Sequence, residues 1–106
     1  MKRMILMLML PVLFLLLINT QVPAAGTAGE ALFKQHCSAC HVDGGNIINP
    51  KKTLHKKDLT ANNVKTTKDI VQKMRNPGPG MTKFDEKTIP NNEANEIAKY
   101  ILYKFR

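Results

Sequence analysis

The 106-residue chain carries its only two cysteines in the stretch Cys37-Ser38-Ala39-Cys40-His41. Thiols three residues apart lie about one helical turn apart, so both sulfurs can form thioethers to the two vinyl groups of one haem. The imidazole that follows at once is then available to the iron from the same segment. The stretch therefore predicts one covalent haem c, attached through Cys37 and Cys40, with His41 as an iron ligand.

Three other uses of paired cysteines each lack something that they need. A disulfide between Cys37 and Cys40 would close a loop too small to stabilise the fold much. A thioredoxin-like site needs alternating strands and helices, and the sequence has no strand pattern. A zinc site needs two further ligands, and only His36 and His55 remain, without a second pair of cysteines. The haem interpretation is therefore favoured.

The first 24 residues have the layout of a secretory signal peptide. A basic start is followed by the apolar run Met4 to Ile18, broken only by Pro11, and by the small residues of Val22-Pro23-Ala24-Ala25. We expect residues 1–24 to be removed and residues 25–106 to form one domain that is exported to the periplasm and soluble. In the alternative, the apolar start stays uncut and serves as an anchor.

The composition of residues 25–106 indicates a thin core with a basic surface. Only 29 of these 82 residues are apolar, so we expect a bound apolar group to complete the core. There are 14 Lys and Arg against 8 Asp and Glu, and the basic residues come as pairs such as Lys51-Lys52, not as the long runs of a nucleic-acid arm. We expect no nucleic-acid partner and no stable membrane insertion, and an acidic protein partner fits the charge.

Helical signals recur along the chain, which predicts an all-α domain of three or four short helices with long connections. A helix over 28–37 is predicted to start at a capping box, Thr27 to Glu30. A second opens at Thr66 and must end by Asn76, because Pro77 disfavours helical geometry in the residue before it. The third, over 92–105, is amphipathic.

The second axial ligand of the iron is predicted to be Met81. It follows Pro77-Gly78-Pro79-Gly80, which is predicted to be a stiff loop without hydrogen bonds that can hold a weak thioether against iron. Met74 lies on an apolar helical face and is expected in the core. His55 is the rival ligand, whereas His36 is next to Cys37 and is expected to be a packing or surface residue.

These residues resemble a class I monohaem c-type cytochrome, in particular the algal and cyanobacterial photosynthetic branch and related bacterial monohaem cytochromes. The resemblance implies the class I cytochrome c fold, in which short helices and long loops surround one haem. It also implies that Gly29 and Phe33 on the first helix meet Ile97 and Tyr100 on the last, where the missing side chain of Gly29 permits a close approach. The matching segments are Gly29 to Phe33, Cys37 to His41, Gly44 to Leu54, Asn76 to Met81 and Ile97 to Tyr100.

The resemblance further implies haem contacts from the segment after the motif. It assigns to the Pro50 carbonyl the acceptance of a hydrogen bond from the ligand imidazole, and to Asn46 and Lys52 contact with a haem propionate. Two positions depart from the photosynthetic branch. Thr82 stands where that branch has a proline, and Lys73 stands where it often has a glutamine.

The predicted function is one-electron transfer between redox partners, without enzyme activity. With His41 and Met81 on the iron, no coordination position is open for substrate. The alternative is a haem-based sensor or a peroxidase-like protein whose sixth coordination position is open or labile. We expect a monomer, with basic residues around the haem that steer an acidic partner: Lys51, Lys52, Lys73, Arg75, Lys83 and Lys87.

Overall fold

The computed structural model describes residues 25–106, so the expected signal peptide lies outside the described residues. Within 25–106 there are four α-helices, one 3₁₀ turn and no strand. The all-α fold predicted from the sequence is confirmed. The helices are α1 (Ala25–His36), α2 (Lys56–Ala61), α3 (Thr67–Arg75) and α4 (Asn91–Lys104), and the 3₁₀ turn covers Val42–Gly44.

Helix α3 begins and ends where the sequence predicts. Asp69 N donates to Thr66 Oγ1 at 3.2 Å, and Thr66 N donates to Asp69 Oδ2 at 2.9 Å, which forms a complete capping box. The helix ends at Arg75, two residues before Pro77. Its buried residues are Ile70 and Met74.

Two differences from the predicted helices lie in α1 and α2. Helix α1 begins at Ala25, so Thr27 lies inside the helix and the predicted start at Ala28 is wrong. Helix α2 was not predicted because it is only one and a half turns long. It depends on a tertiary contact, since Lys56 N donates to Phe105 O at 2.9 Å.

The crossing of α1 and α4 forms the centre of the fold. A Cβ on Gly29 would overlap the Glu96 carbonyl oxygen and lie 2.9 Å from Tyr100 Cβ, so only glycine allows this approach. One turn further along α1, the Phe33 ring lies 5.4 Å from the Tyr100 ring. Ile97 is fully buried. The close helix contact implied by the resemblance is therefore present.

Phe105 joins several parts of the chain. Its ring centroid lies 5.5 Å from that of Phe33 and 5.8 Å from that of His55. Its ring also covers Gly44, where a Cβ would lie 2.5 Å from Phe105 Cδ1. The C-terminal aromatic thus packs on α1, on the residue before α2 and on the 3₁₀ turn.

A single core extends from this crossing to α3, which also packs on α4. No helix in the described part of the chain is long and apolar enough to cross a membrane. The buried apolar side chains are Phe33, Leu59, Val64, Ile70, Met74, Ile89, Ala94, Ile97, Ala98, Ile101 and Phe105.

Candidate haem site

The two cysteines lie on a turn that continues the hydrogen bonding of α1. Cys37 N donates to Phe33 O at 2.8 Å, and His41 N donates to Cys37 O at 2.9 Å. Cys37 is partly buried against the core, whereas Cys40 is exposed. Burial raises the pKa of the Cys37 thiol to about 11, so before any attachment this sulfur is protonated at neutral pH.

A backbone carbonyl orients the imidazole of His41. His41 Nδ1 lies 2.7 Å from Gly45 O. A carbonyl oxygen only accepts, so Nδ1 carries the proton and Nε2 of the neutral ring keeps a free lone pair. The carbonyl reaches the ring because the 3₁₀ turn reverses the chain, with Asp43 and Gly44 at φ values of 52° and 78°. The ring is thereby fixed in a tautomer suited to metal binding.

The carbonyl that accepts the hydrogen bond from His41 Nδ1 differs from the Pro50 carbonyl that the resemblance assigns. Gly45 O holds that position, and Pro50 is exposed and does not line the cavity described below. The physical reason is that the positive-φ pair closes a shorter loop, which brings a nearer carbonyl to the ring. The role that the resemblance gives to the Pro50 carbonyl therefore stays a prediction for the haem-bound protein.

Asn46 organises the segment that follows. Its Oδ1 accepts from Ile48 N at 2.9 Å and from Asn49 N at 2.8 Å, and its Nδ2 donates to Lys52 O at 2.9 Å. One side-chain N–H of Asn46 is left for another partner. Lys52 is exposed, and in the described residues its ammonium makes no ion pair.

The loop over residues 76–83, the methionine loop, presents Met81. Met81 N donates to Gly78 O at 3.4 Å, and Gly80 has a φ of 89°, as a turn with proline at its second position and glycine at its third requires. The loop therefore contains one long hydrogen bond, where none was expected. Met81 is 38% exposed and so is not fixed by the apolar core. Ile48 packs on Gly80, since a Cβ there would lie 3.2 Å from Ile48 Cγ2.

The base of the methionine loop is closed by the backbone and by an arginine. Phe84 N donates to Met74 O at 2.9 Å, which joins the two ends of the loop. Arg75 Nη1 donates to Phe84 O at 3.0 Å. Reasoning from the sequence missed this arginine as a structural residue, because its acceptors are mainly backbone carbonyls that no side-chain pattern marks.

The cysteine turn and the methionine loop line one cavity of about 290 Å³. Of the residues predicted to hold the haem, the cavity brings together Cys37, Cys40, His41, Asn46, Lys52 and Met81. Lys73 and Thr82, the two departures from the photosynthetic branch, also line it. The apolar part of the wall consists of Ile48, Leu54, Leu59, Val64, Ile70, Met74, Phe84, Ile89 and Ile101.

The rival ligands occupy different positions. Met74 lines the cavity but is only 4% exposed and belongs to the core of α3. His55 is exposed, packs edge-on against Phe105 and does not line the cavity. His36 does line it, with its ring 6.2 Å from the Phe84 ring, a position that the sequence did not predict.

The donors and the wall of this cavity fit a covalently attached haem. Two thiols, an imidazole with a free Nε2 and a thioether converge on a space whose walls are largely apolar. Thiols can form the thioethers, and imidazole and thioether are ligands of haem iron. The described residues contain no cluster of three or more His, Cys, Asp and Glu side chains that could hold a bare metal ion.

Comparison with known proteins agrees with this site. Residues 24–101 match the family model described as "Cytochrome C oxidase, cbb3-type, subunit III". Cytochrome c6 of Rippkaea orientalis is 33% identical over 104 residues, which is 96% of this chain and 93% of that protein. Cytochrome c6 of Cyanidium caldarium is 36% identical over 76 residues, covering 72% of this chain and 68% of that protein.

The chain belongs to the class I monohaem c-type cytochromes. The solved structures agree with this. The outer membrane cytochrome OmcF of Geobacter sulfurreducens is 42% identical with a TM-score of 0.72, covering 74% of this cytochrome and 99% of that chain. Cytochrome c6A of Arabidopsis thaliana is 30% identical with a TM-score of 0.68, covering 77% of this cytochrome and 91% of that chain.

The family gives this cytochrome its cofactor and its general role. It carries one haem c, bound covalently through Cys37 and Cys40. Its role is electron transfer, and the cytochrome c6 relatives are electron carriers.

Proposed function

We propose that this cytochrome is a one-electron carrier in which His41 and Met81 are the axial ligands of the haem iron. The observation that carries the proposal is that the cysteine turn and the methionine loop line the same cavity. The bound haem supplies one-electron exchange between ferric and ferrous iron. With both axial positions filled by the protein, no position is left for a substrate.

His41 supports this role through its hydrogen bond to Gly45 O. The bond leaves Nε2 as the ligating atom and restricts rotation of the ring, which favours a stable ligand in both oxidation states. It also holds the Nδ1–H against a carbonyl oxygen, which makes Nε2 a better electron donor to a metal.

Met81 is the better thioether ligand because the methionine loop holds it outside the core. Met74 is enclosed by core side chains on α3, and bringing its sulfur to the iron would disturb that packing. A thioether is a weak ligand of ferric iron and favours the ferrous form. We therefore expect a reduction potential above that of a bis-histidine haem.

Lys52 is proposed to contact a haem propionate. It lines the cavity, and within residues 25–106 its ammonium has no acidic partner. Asn46 contributes mainly by holding the segment 46–52 through three hydrogen bonds. Its one remaining N–H is proposed to contact a haem propionate as well.

The partner is proposed to be a redox protein with an acidic docking face. This cytochrome is proposed to bind it as a monomer. Residues 25–106 carry six more basic than acidic side chains, and two exposed lysines, Lys52 and Lys73, line the cavity. Such a field steers an acidic partner towards the site. Arg75 is half-buried, and its guanidinium is hydrogen-bonded within the protein. We place the carrier in the periplasm, after removal of residues 1–24.

Absorption spectroscopy of the purified haem protein tests the ligand assignment. We expect a far-red ferric band from the iron–thioether bond, and no binding of carbon monoxide to the ferrous protein. A high-spin ferric spectrum together with rapid carbon monoxide binding would contradict the proposal and favour the sensor or peroxidase-like alternative. N-terminal sequencing of the exported protein tests the cleavage after residue 24.

A further inference from the structure

Arg75 makes an unusual set of contacts for a residue at the end of a short helix. Its Nη1 donates to Phe84 O at 3.0 Å and to Asp85 O at 3.2 Å. Its Nη2 donates to Ile89 O at 2.9 Å and to Asn91 Oδ1 at 2.9 Å. All four acceptors are uncharged oxygens. The guanidinium therefore acts as a hydrogen-bonding fork and not as half of an ion pair.

The segment that Arg75 holds lies between the methionine loop and α4. This segment, residues 84–91, is itself compact, because Ile89 N donates to Asp85 O at 3.0 Å and Thr88 N donates to Asp85 Oδ1 at 2.8 Å. Ile89 is fully buried and contributes to the cavity wall. Arg75 thus fixes a rigid unit that follows directly after the methionine loop.

The other end of the methionine loop is fixed at the same place. The loop leaves α3 next to Arg75, and Phe84 N returns to bond Met74 O at 2.9 Å. A loop whose ends are joined opens by breaking that junction, and each hydrogen bond at the junction lowers the population of the open state. Arg75 supplies more bonds at the junction than the backbone does.

We propose that Arg75 is a positioning residue that keeps the methionine loop closed and so keeps Met81 on the iron. The inference rests on the proposed ligation by Met81. A thioether binds iron weakly, so the fraction of iron without its sixth ligand follows the opening of the loop that carries it. Removal of the fork raises that fraction without any change in the ligand itself.

The test measures loop opening in the haem protein with exogenous imidazole. At saturating imidazole, the rate of binding to the ferric iron is limited by departure of Met81. We expect Arg75→Ala to raise this rate at least tenfold and to speed hydrogen exchange of the Phe84 amide by a similar factor. Lys68→Ala removes an equal charge from the exposed face of α3 and should change both rates less than twofold.

Three outcomes decide the matter. An unchanged imidazole rate in Arg75→Ala overturns the inference and leaves the ligand assignment intact. Equal acceleration of exchange at Phe84 and at Ile97, in the helix crossing, shows general destabilisation and also overturns it. Absence of the far-red band in the unsubstituted protein overturns the ligand assignment and the inference together. If Arg75→Ala does not fold, Asn91→Ala, which removes one acceptor, should raise the rate in the same direction by a smaller factor.

Discussion

At the scale of single residues, the site depends on side chains whose surroundings differ more than their chemistry does. Met74 and Met81 carry the same thioether and line the same cavity, but one is 4% exposed and the other 38%. The sulfur of Met74 is held by core packing, whereas the sulfur of Met81 is accessible to a metal in the cavity. This difference in environment favours Met81 over Met74 as the proposed iron ligand.

Substitution of the two methionines tests this separation. We expect Met81→Ala to give a high-spin ferric spectrum and an iron open to carbon monoxide, with a small loss of global stability. Met74→Ala should keep the far-red band and lower the free energy of unfolding by roughly 2–5 kcal/mol, since the side chain is buried. Spectra and denaturant unfolding of the two variants give the answer. Loss of the band in Met74→Ala alone would exchange the two assignments.

At the scale of helices, the crossing of α1 and α4 requires that no side chain be present at Gly29. Its neighbours there are the Glu96 carbonyl and Tyr100 Cβ. The carbonyl is part of the α4 backbone and the Cβ is bonded directly to it, so neither can move without the helix. A methyl group would force the helices apart at their closest point and loosen the contact of Phe33 with Tyr100.

Alanine substitutions at two glycines test the crossing. Gly29→Ala should lower the free energy of unfolding by about 1–3 kcal/mol, although alanine favours a helix by about 1 kcal/mol. Gly78→Ala is the matched control, because a Cβ there meets nothing within 4 Å. Its effect should stay within about 0.5 kcal/mol. Urea unfolding of both haem proteins measures the difference, and equal stability of the two variants would refute the steric argument.

The capping box of α3 gives the fold a dependence on pH. Hydrogen bonds from the Lys65 and Thr66 amides and from the Thr66 hydroxyl lower the pKa of Asp69 from its ordinary 3.8. A lowered pKa in the folded state stabilises the protein above pH 3.8, and this contribution is lost as the pH falls through the folded value. Asp69→Asn should therefore be less stable at neutral pH and lose less stability on acidification below about pH 4.

A control separates this effect from general acid sensitivity. Glu86→Gln removes an exposed carboxylate that makes no hydrogen bond within residues 25–106. We expect its stability to follow that of the unsubstituted protein between pH 3 and 7 in thermal unfolding. Parallel curves for Asp69→Asn and Glu86→Gln would show that the cap contributes nothing.

The sequence predicts those features of the elements that local rules determine. Helix α3 has a cap and a following proline, α4 has a clear apolar period, and the cysteines and His41 form a short motif. The contact of the Gly45 carbonyl with His41 could not be predicted, because it depends on the positive φ values of Asp43 and Gly44. Helix α2 could not be predicted either, because it depends on a tertiary hydrogen bond to Phe105 O. Arg75 looked like a surface charge for the same reason.

At the scale of the whole molecule, the effect of a basic side chain on electron transfer depends on its distance from the haem cavity. Residues 25–106 have an excess of six basic side chains, but an electron crosses only where the haem is near the surface. Lysines on the cavity rim, such as Lys52 and Lys73, affect encounters at that point, whereas Lys104 on α4 contributes only to the general field.

Salt dependence of electron transfer tests this distribution. With the anion hexacyanoferrate(III) as oxidant, we expect the rate constant to fall severalfold as ionic strength rises from about 0.01 to 0.5 M. Lys73→Gln should weaken the dependence more than Lys104→Gln, which removes the same charge away from the cavity. Stopped-flow kinetics measures the slopes. A rate that does not change with ionic strength would contradict electrostatic steering.

The packing of Phe105 has a consequence for proteolysis. Its ring contacts α1 and the 3₁₀ turn, and its carbonyl accepts from the first residue of α2. Cleavage that removes Phe105 would therefore alter three regions that are far apart in sequence, among them the turn that orients His41. Proteolysis next to Phe105 should report on the integrity of the tertiary structure as a whole.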